Sequence, residues 1–288
     1  MWLFALLCLA DSTSGFSVLV APAESVHVTI VGSGDPVVLV PGFFGSAYGF
    51  RHVIPALAAS GYRAIVIEPL GIGASGRPER ADYSLMAQAV RLARVLDTLR
   101  VKRAIVVAHA MGASMAYRLA YLRPDLVRGL VSLDGGPAEA AATSGFRRAM
   151  RFAPWIKWFG GVGLIRRKVR HSLIAASGDS SWVDAAAVDA YTAGWAADLD
   201  GTLKAYIRMT RAREPERLEP HLVQIQCPVL LLVGTARHDG GINLREIELL
   251  RSRLGAFTLE AVLGAGLFLQ EERPGAVATA IRHLATGH

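Results

Sequence analysis

Cysteine is nearly absent from this chain: Cys8 and Cys227 are the only two in 288 residues. Two such thiols do not make a disulfide framework, so stability has to come from a core. Cys227 stands just before Pro228 at the start of an apolar run and reads as a small buried residue. Charge is also sparse, at 19% against 52% hydrophobic residues. That balance excludes general disorder and leaves ample material for one large α/β domain. Outside the N-terminus no apolar run is long enough for an obvious membrane span, which takes about 20 residues. No H-E-x-x-H pair and no paired cysteines are present, so no metal is expected.

Two stretches stand out from this background. Met1 to Ala10 is apolar, and Ala21-Pro22-Ala23 offers small residues in a cleavage-like pattern, so 1–23 reads as a signal or leader segment. No Lys or Arg precedes the apolar run and Asp11 interrupts it, which argues the other way. The expectation is an exported or membrane-associated protein, with a cytoplasmic one as the alternative. The second stretch lacks acids. From Arg147 to Arg170 there are eight bases (Arg147, Arg148, Arg151, Lys157, Arg166, Arg167, Lys168 and Arg170), enough to account for the net charge of +7. Phe152, Trp155, Trp158 and Phe159 are interleaved with them. This mixture suits contact with a membrane or an anionic surface through 147–170. It equally suits a solvated helix face whose aromatics pack on the core. Nucleic acid is not expected, because no binding motif accompanies the charge.

Most of the remaining chain alternates between two patterns. Val26–Val31 alternates apolar with polar or small residues, Gly32-Ser33-Gly34-Asp35 turns the chain, and Val37–Val40 is continuously apolar, which predicts a hairpin. Phe50–Ala59 predicts a helix stopped by Gly61, and Tyr62–Ile67 a buried strand. Ser84 caps a helix with Leu85, Ala89, Leu92, Leu96 and Leu99 on one face. Ala104–Ala108 and Val127–Leu133 are strands, separated by a helix over Met111–Leu122 that ends before Pro124. After a helix-rich interval, strands at Val229–Val233 and Phe257–Val262 alternate with helices at Glu246–Leu254 and Pro274–Leu284. Apolar strands alternating with helices predict an α/β fold, a mostly parallel sheet with helices on both faces. The divisions are a core over 24–136, an inserted helical cap over 137–220 and the rest of the core over 221–288.

Ala108-His109-Ala110-Met111-Gly112 lies between a predicted strand and helix. It resembles the nucleophile elbow of the α/β-hydrolase superfamily, small-x-Ser-x-small, whose small outer residues let the helix pack at a sharp turn. The resemblance runs from about Val26 to Ala285. It includes the loops Pro41-Gly42-Phe43-Phe44-Gly45, Glu68 to Ser75, and Gly264-Ala265-Gly266-Leu267-Phe268. It implies an eight-stranded sheet and, from backbone amides, an oxyanion hole at Phe43 and Met111. Pro41 replaces the His that many members have there. The G-x-G-x-x-G at Gly71–Gly76 is followed by Arg77-Pro78 rather than a helix, so it does not read as a dinucleotide fingerprint and no cofactor is expected.

The side chains depart from the family. Ala110 occupies the nucleophile position and offers no lone pair. Leu267 occupies the base position and carries no proton. An acid survives at Asp134, after the sixth strand, or at Asp239, since counting from Gly234 gives Arg237 instead. Ser114 is one turn past Ala110 and points into packing, and His109 reads as structural; His238, beside Asp239, is a candidate for proton chemistry near the site, with a surface-loop residue as the favoured reading. On these grounds the expectation is a catalytically degenerate protein that binds an acyl, carboxylate or amphiphilic small molecule, or serves as a scaffold for a protein partner. The alternative is a carboxylic ester or related acyl hydrolase whose nucleophile and base were mutated.

Overall fold

The strands of this chain are apolar on both faces, and a sheet made of them must be covered on both sides. The computed structural model, which describes residues 14–150, 160–238 and 240–286, has such a sheet. Its strands are β1 (Ser14–Ala21), β2 (Glu24–Val31), β3 (Asp35–Val40), β4 (Tyr62–Glu68), β5 (Ala104–His109), β6 (Val127–Leu133), β7 (Val229–Gly234) and β8 (Phe257–Val262). Their order is β1-β2-β4-β3-β5-β6-β7-β8. β2 pairs antiparallel with β1 and β4, and every pair from β4 through β8 is parallel.

Side chains alternate between two cores, as the two-residue strand period requires. Val38, Val40, Ile65, Ile67, Val106 and Ala108 face one core. Val37, Leu39, Ala64, Val66, Ile105 and Val107 face the other. The first core is closed by α2 (Leu85–Thr98) and α3 (Met111–Leu122). The second is closed by α1 (Ile54–Ala59), with Phe50 and Val53 of the turn before it, and by the C-terminal helices described below. Truncating a fully buried residue such as Leu92 or Leu57 to Ala would cost about 2–5 kcal/mol.

Two expectations are corrected. Val26–Val31 and Val37–Val40 do not form a hairpin: β4 lies between them, and β2 pairs instead with β1 across the turn at Pro22-Ala23. A one-strand crossover satisfies the buried β3 on both edges, which a hairpin at the rim would not. Of the segment 1–23, residues 14–21 form β1 in the sheet, and residues 1–13 lie outside the described residues. The helix expected from Phe50 begins at Ile54, after a short 3₁₀ turn (Ala47–Phe50) capped by Ser46 Oγ.

The interval 137–220 holds α4 (Ser144–Met150), α5 (Gly161–Ala175), α6 (Ala185–Tyr191), α7 (Ala193–Ala197) and α8 (Leu199–Arg211), with no strand among the described residues. The chain finishes with α9 (Leu244–Arg253), α10 (Leu269–Glu272) and α11 (Pro274–Thr286). The cap is tied down where it leaves and rejoins the core. Arg118 of α3, fully buried, reaches Glu139 at 3.3 Å and Glu214 at 3.4 Å. The Glu214 carboxylate also accepts from the Leu85 and Met86 amides, while Ser84 Oγ takes the Ala87 amide. The first turn of α2 is therefore capped partly by the cap's own return segment, which satisfies amides that no helix can satisfy internally.

Candidate active site

The C-terminal ends of β3, β5, β6 and β7 converge on one place, and two strained residues mark it. Ala110, between β5 and α3, has φ 48° and ψ −117°, and Asp134, just after β6, has φ 49°. Non-glycine residues held at positive φ cost on the order of 1–3 kcal/mol each and cluster where function demands the geometry. The surroundings enforce the elbow. A Cβ on Gly112 would come within 2.7 Å of the Val40 carbonyl, and one on Gly135 within 2.5 Å of the Ala110 carbonyl. The small residues of the sequence pattern are therefore dictated by backbone contact.

The Ala110 amide donates to Leu133 O at 3.0 Å, and Ala113 donates back to Ala110 O. Met111 opens α3, so its amide has no acceptor within the helix. Gly42 packs against Ala110 so closely that its Cβ would lie 3.4 Å from the Ala110 methyl, and Phe43 follows directly. Among the described residues neither the Phe43 nor the Met111 amide has a hydrogen-bond acceptor. The next amide, Phe44, donates to Tyr206 Oη of α8 at 2.9 Å. Rings of Phe43, Phe44, Phe146, Trp195 and Tyr206 close over the loop, with the Phe43 centroid 5.0 Å from both Phe146 and Tyr206. Burial raises the Tyr206 hydroxyl well above the usual phenol range.

Asp134 is almost fully buried and accepts from the Ile242 amide at 3.0 Å and the Gly234 amide at 3.3 Å. Its Oδ2 lies 2.9 Å from His238 Nε2, and His238 Nδ1 lies 2.7 Å from Ala236 O. Desolvation raises the Asp134 pKa against these favourable contacts. Both ring nitrogens of His238 therefore face oxygen atoms, one of the acid and one of the backbone. Gly241 seals the pair: a Cβ there would strike Asp134 Oδ1 and come within 2.7 Å of His238 Nε2. His238 is thus corrected from a surface-loop residue to a buried partner of the acid, with a side chain only 8% exposed. No spacing rule in the sequence links it to Asp134. The other acid considered, Asp239, lies outside the described residues, and Arg237 is exposed.

Leu267 is half-buried, and its Cδ2 would lie 3.7 Å from a Cβ on Gly240, beside the glycine that seals Asp134. The base position is therefore next to the acid but holds an isobutyl group. The Leu267 carbonyl accepts from His109 Nε2 at 3.1 Å, and its amide donates to Ala176 O just past α5. Burial pushes His109 down to about 4, so it is neutral near pH 7. Ser114 Oγ donates to Gly136 O and takes the Ala138 amide, which removes it from the chemistry. Among the described residues no group of three or more His, Cys, Asp or Glu could hold a metal.

A family model described as alpha/beta hydrolase fold matches residues 35–161, which carry β3, the elbow and Asp134. The chain has the α/β-hydrolase fold. Among the proteins it is similar to, a bifunctional epoxide hydrolase 2 of Sus scrofa is 32% identical over 128 residues, 44% of this chain and 23% of that protein. Epoxide hydrolase A of Mycobacterium tuberculosis is 27% identical over 92% of this chain and 95% of its own length. A solved serine-to-alanine variant of a meta-cleavage product hydrolase from Pseudomonas fluorescens IP01, complexed with acetates, superposes with TM-score 0.75 at 22% identity, covering 95% of this chain and 98% of that one. The first relatives are matched over only 23–38% of their own length.

These relatives overturn the expectation of a degenerate binding or scaffold protein, because they are named as hydrolases and one of them aligns along nearly the whole chain. That expectation rested on two side chains, at positions 110 and 267. The strained elbow, the open amides and the buried acid–imidazole pair are backbone and positioning features that survive the loss of both.

Proposed function

We propose that this chain is a hydrolase of carboxylic esters or related acyl compounds in which water, not a side chain, delivers the attacking oxygen. One observation carries the reading: among the described residues the Phe43 and Met111 amides are without acceptors beside the strained Ala110, at the positive end of α3. A substrate carbonyl oxygen accepts both N–H groups, its carbon becomes more electrophilic, and the oxyanion of the tetrahedral intermediate is held by dipoles already in place. The alanine methyl leaves room where a serine oxygen would stand, and water attacks from there. One O–H bond of that water breaks, and its proton passes to solvent base, since both nitrogens of His238 are engaged. The intermediate then re-forms its carbonyl as the bond to the leaving oxygen breaks, and the departing alkoxide takes a proton from solvent. A site working through an oxyanion hole and binding alone accelerates reaction by roughly 10³–10⁴ over water.

A second reading is favoured by Tyr206 and by the epoxide hydrolases among the relatives. The phenol oxygen is fixed by the Phe44 amide, and its proton has no acceptor among the described residues. It is placed to protonate an oxygen leaving a strained ring as water opens it.

Hydrolysis of short-chain nitrophenyl esters tests the first reading: a linear time course with no burst and no fluorophosphonate labelling is expected, and no rate above buffer would sink it. Styrene oxide with the Tyr206→Phe variant tests the second, which requires turnover that the variant loses.

A further inference from the structure

Helix α5 buries Ile165, Val169 and Leu173 at four-residue spacing, so its other face must look outward. That face carries Arg166, Arg167, Lys168, Arg170 and His171, all exposed. Arg166 pairs with Asp189 at 3.1 Å, while Arg167, Lys168 and Arg170 have no ion-pair partner among the described residues. No acid occurs in the sequence between Glu139 and Asp179 to neutralise them, and α4 adds exposed Arg147 and Arg148. Unpaired like charges repel one another, and an anionic partner relieves that repulsion.

Two features favour a lipid surface over a nucleic acid. Ile174 is exposed on the same helix, beside the cations that have no acid to pair with. The helix also ends on the site, since Ala176 O accepts from the Leu267 amide at 2.8 Å. A surface held by α5 is thus the rim of the active site.

We propose that the outward face of α5 docks this protein on an anionic membrane surface, so that amphiphilic substrates reach the site from the lipid side. The docking stands independently of the reaction proposed above, because it is read from binding alone.

The full chain is mixed with phosphatidylcholine vesicles, with and without phosphatidylserine, and bound protein is measured by sedimentation. Binding only to the phosphatidylserine vesicles is expected. It should vanish toward about 1 M salt, where the Debye length is about 3 Å. The triple variant Arg167→Gln, Lys168→Gln, Arg170→Gln should bind on the order of a hundred-fold more weakly. A control variant, Lys102→Gln, Arg245→Gln, Arg282→Gln, which removes exposed cations elsewhere, should bind as the parent does. Equal binding to both vesicle types, equal loss in both variants, or tighter binding to single-stranded RNA than to the vesicles would each overturn the proposal.

Discussion

Acidifying this protein from pH 7 toward pH 4 should destabilise it through one buried imidazole. His109 is 5% exposed, its Nε2–H donates to Leu267 O, and its ring lies 5.3 Å from that of Phe268. Burial lowers its pKa from 6.5 to about 4. The unfolded chain therefore binds a proton at this residue below about 6.5, and the native state does not until about 4. Stability from this group is complete above 6.5 and is lost as pH falls through that window. Each pH unit across it is worth about 1.4 kcal/mol, so the whole loss is about 3 kcal/mol. In His109→Gln the side-chain amide can still donate to Leu267 O but does not titrate. Urea unfolding at a series of pH values should give a steep fall for the parent and a much shallower one for the variant. The residual slope in the variant would include His52, also held low by burial. Identical slopes would refute the reasoning, because they would mean that His109 takes up its proton equally in both states.

Two further variants probe the packing that holds the site. Gly112→Ala would push a methyl to within 2.9 Å of the Val40 and Pro41 carbonyls; a loss of about 1–3 kcal/mol in chemical unfolding is expected. Arg118→Met leaves Glu214, 7% exposed, without its cation. About 3–5 kcal/mol of destabilisation is expected, together with faster amide exchange at Leu85 and Met86, whose acceptor is the same carboxylate.

Much of this fold is written in local pattern. The four continuous runs at β3, β4, β5 and β6 are buried on both faces, and Met111–Leu122 begins and ends where the elbow and Pro124 require. Ser84 caps α2 because a hydroxyl there reaches the Ala87 amide. What escaped is non-local. Strand order depends on crossovers, so β2 and β3, adjacent in sequence, are separated in the sheet by β4. β1 is largely exposed apart from Val18, and such a strand at the sheet edge has little apolar signature beyond the run that precedes it. Among the site residues, the resemblance named Ala110, Met111, Phe43 and Leu267 by position and left the acid open between Asp134 and Asp239. His238 could not be placed in this way, since its partner is fixed by the convergence of the loops after β6 and β7, and the same holds for Tyr206, which meets Phe44 only through the cap.

The central claim is that two backbone amides carry the chemistry left to this site. Replacing Phe43 by Pro deletes one of them, and Gly42 before it tolerates the restriction proline imposes. With folding checked by circular dichroism, nitrophenyl ester hydrolysis should drop by roughly 10²-fold or to the buffer rate. A folded Phe43→Pro variant that hydrolyses the ester as fast as the parent would contradict the account.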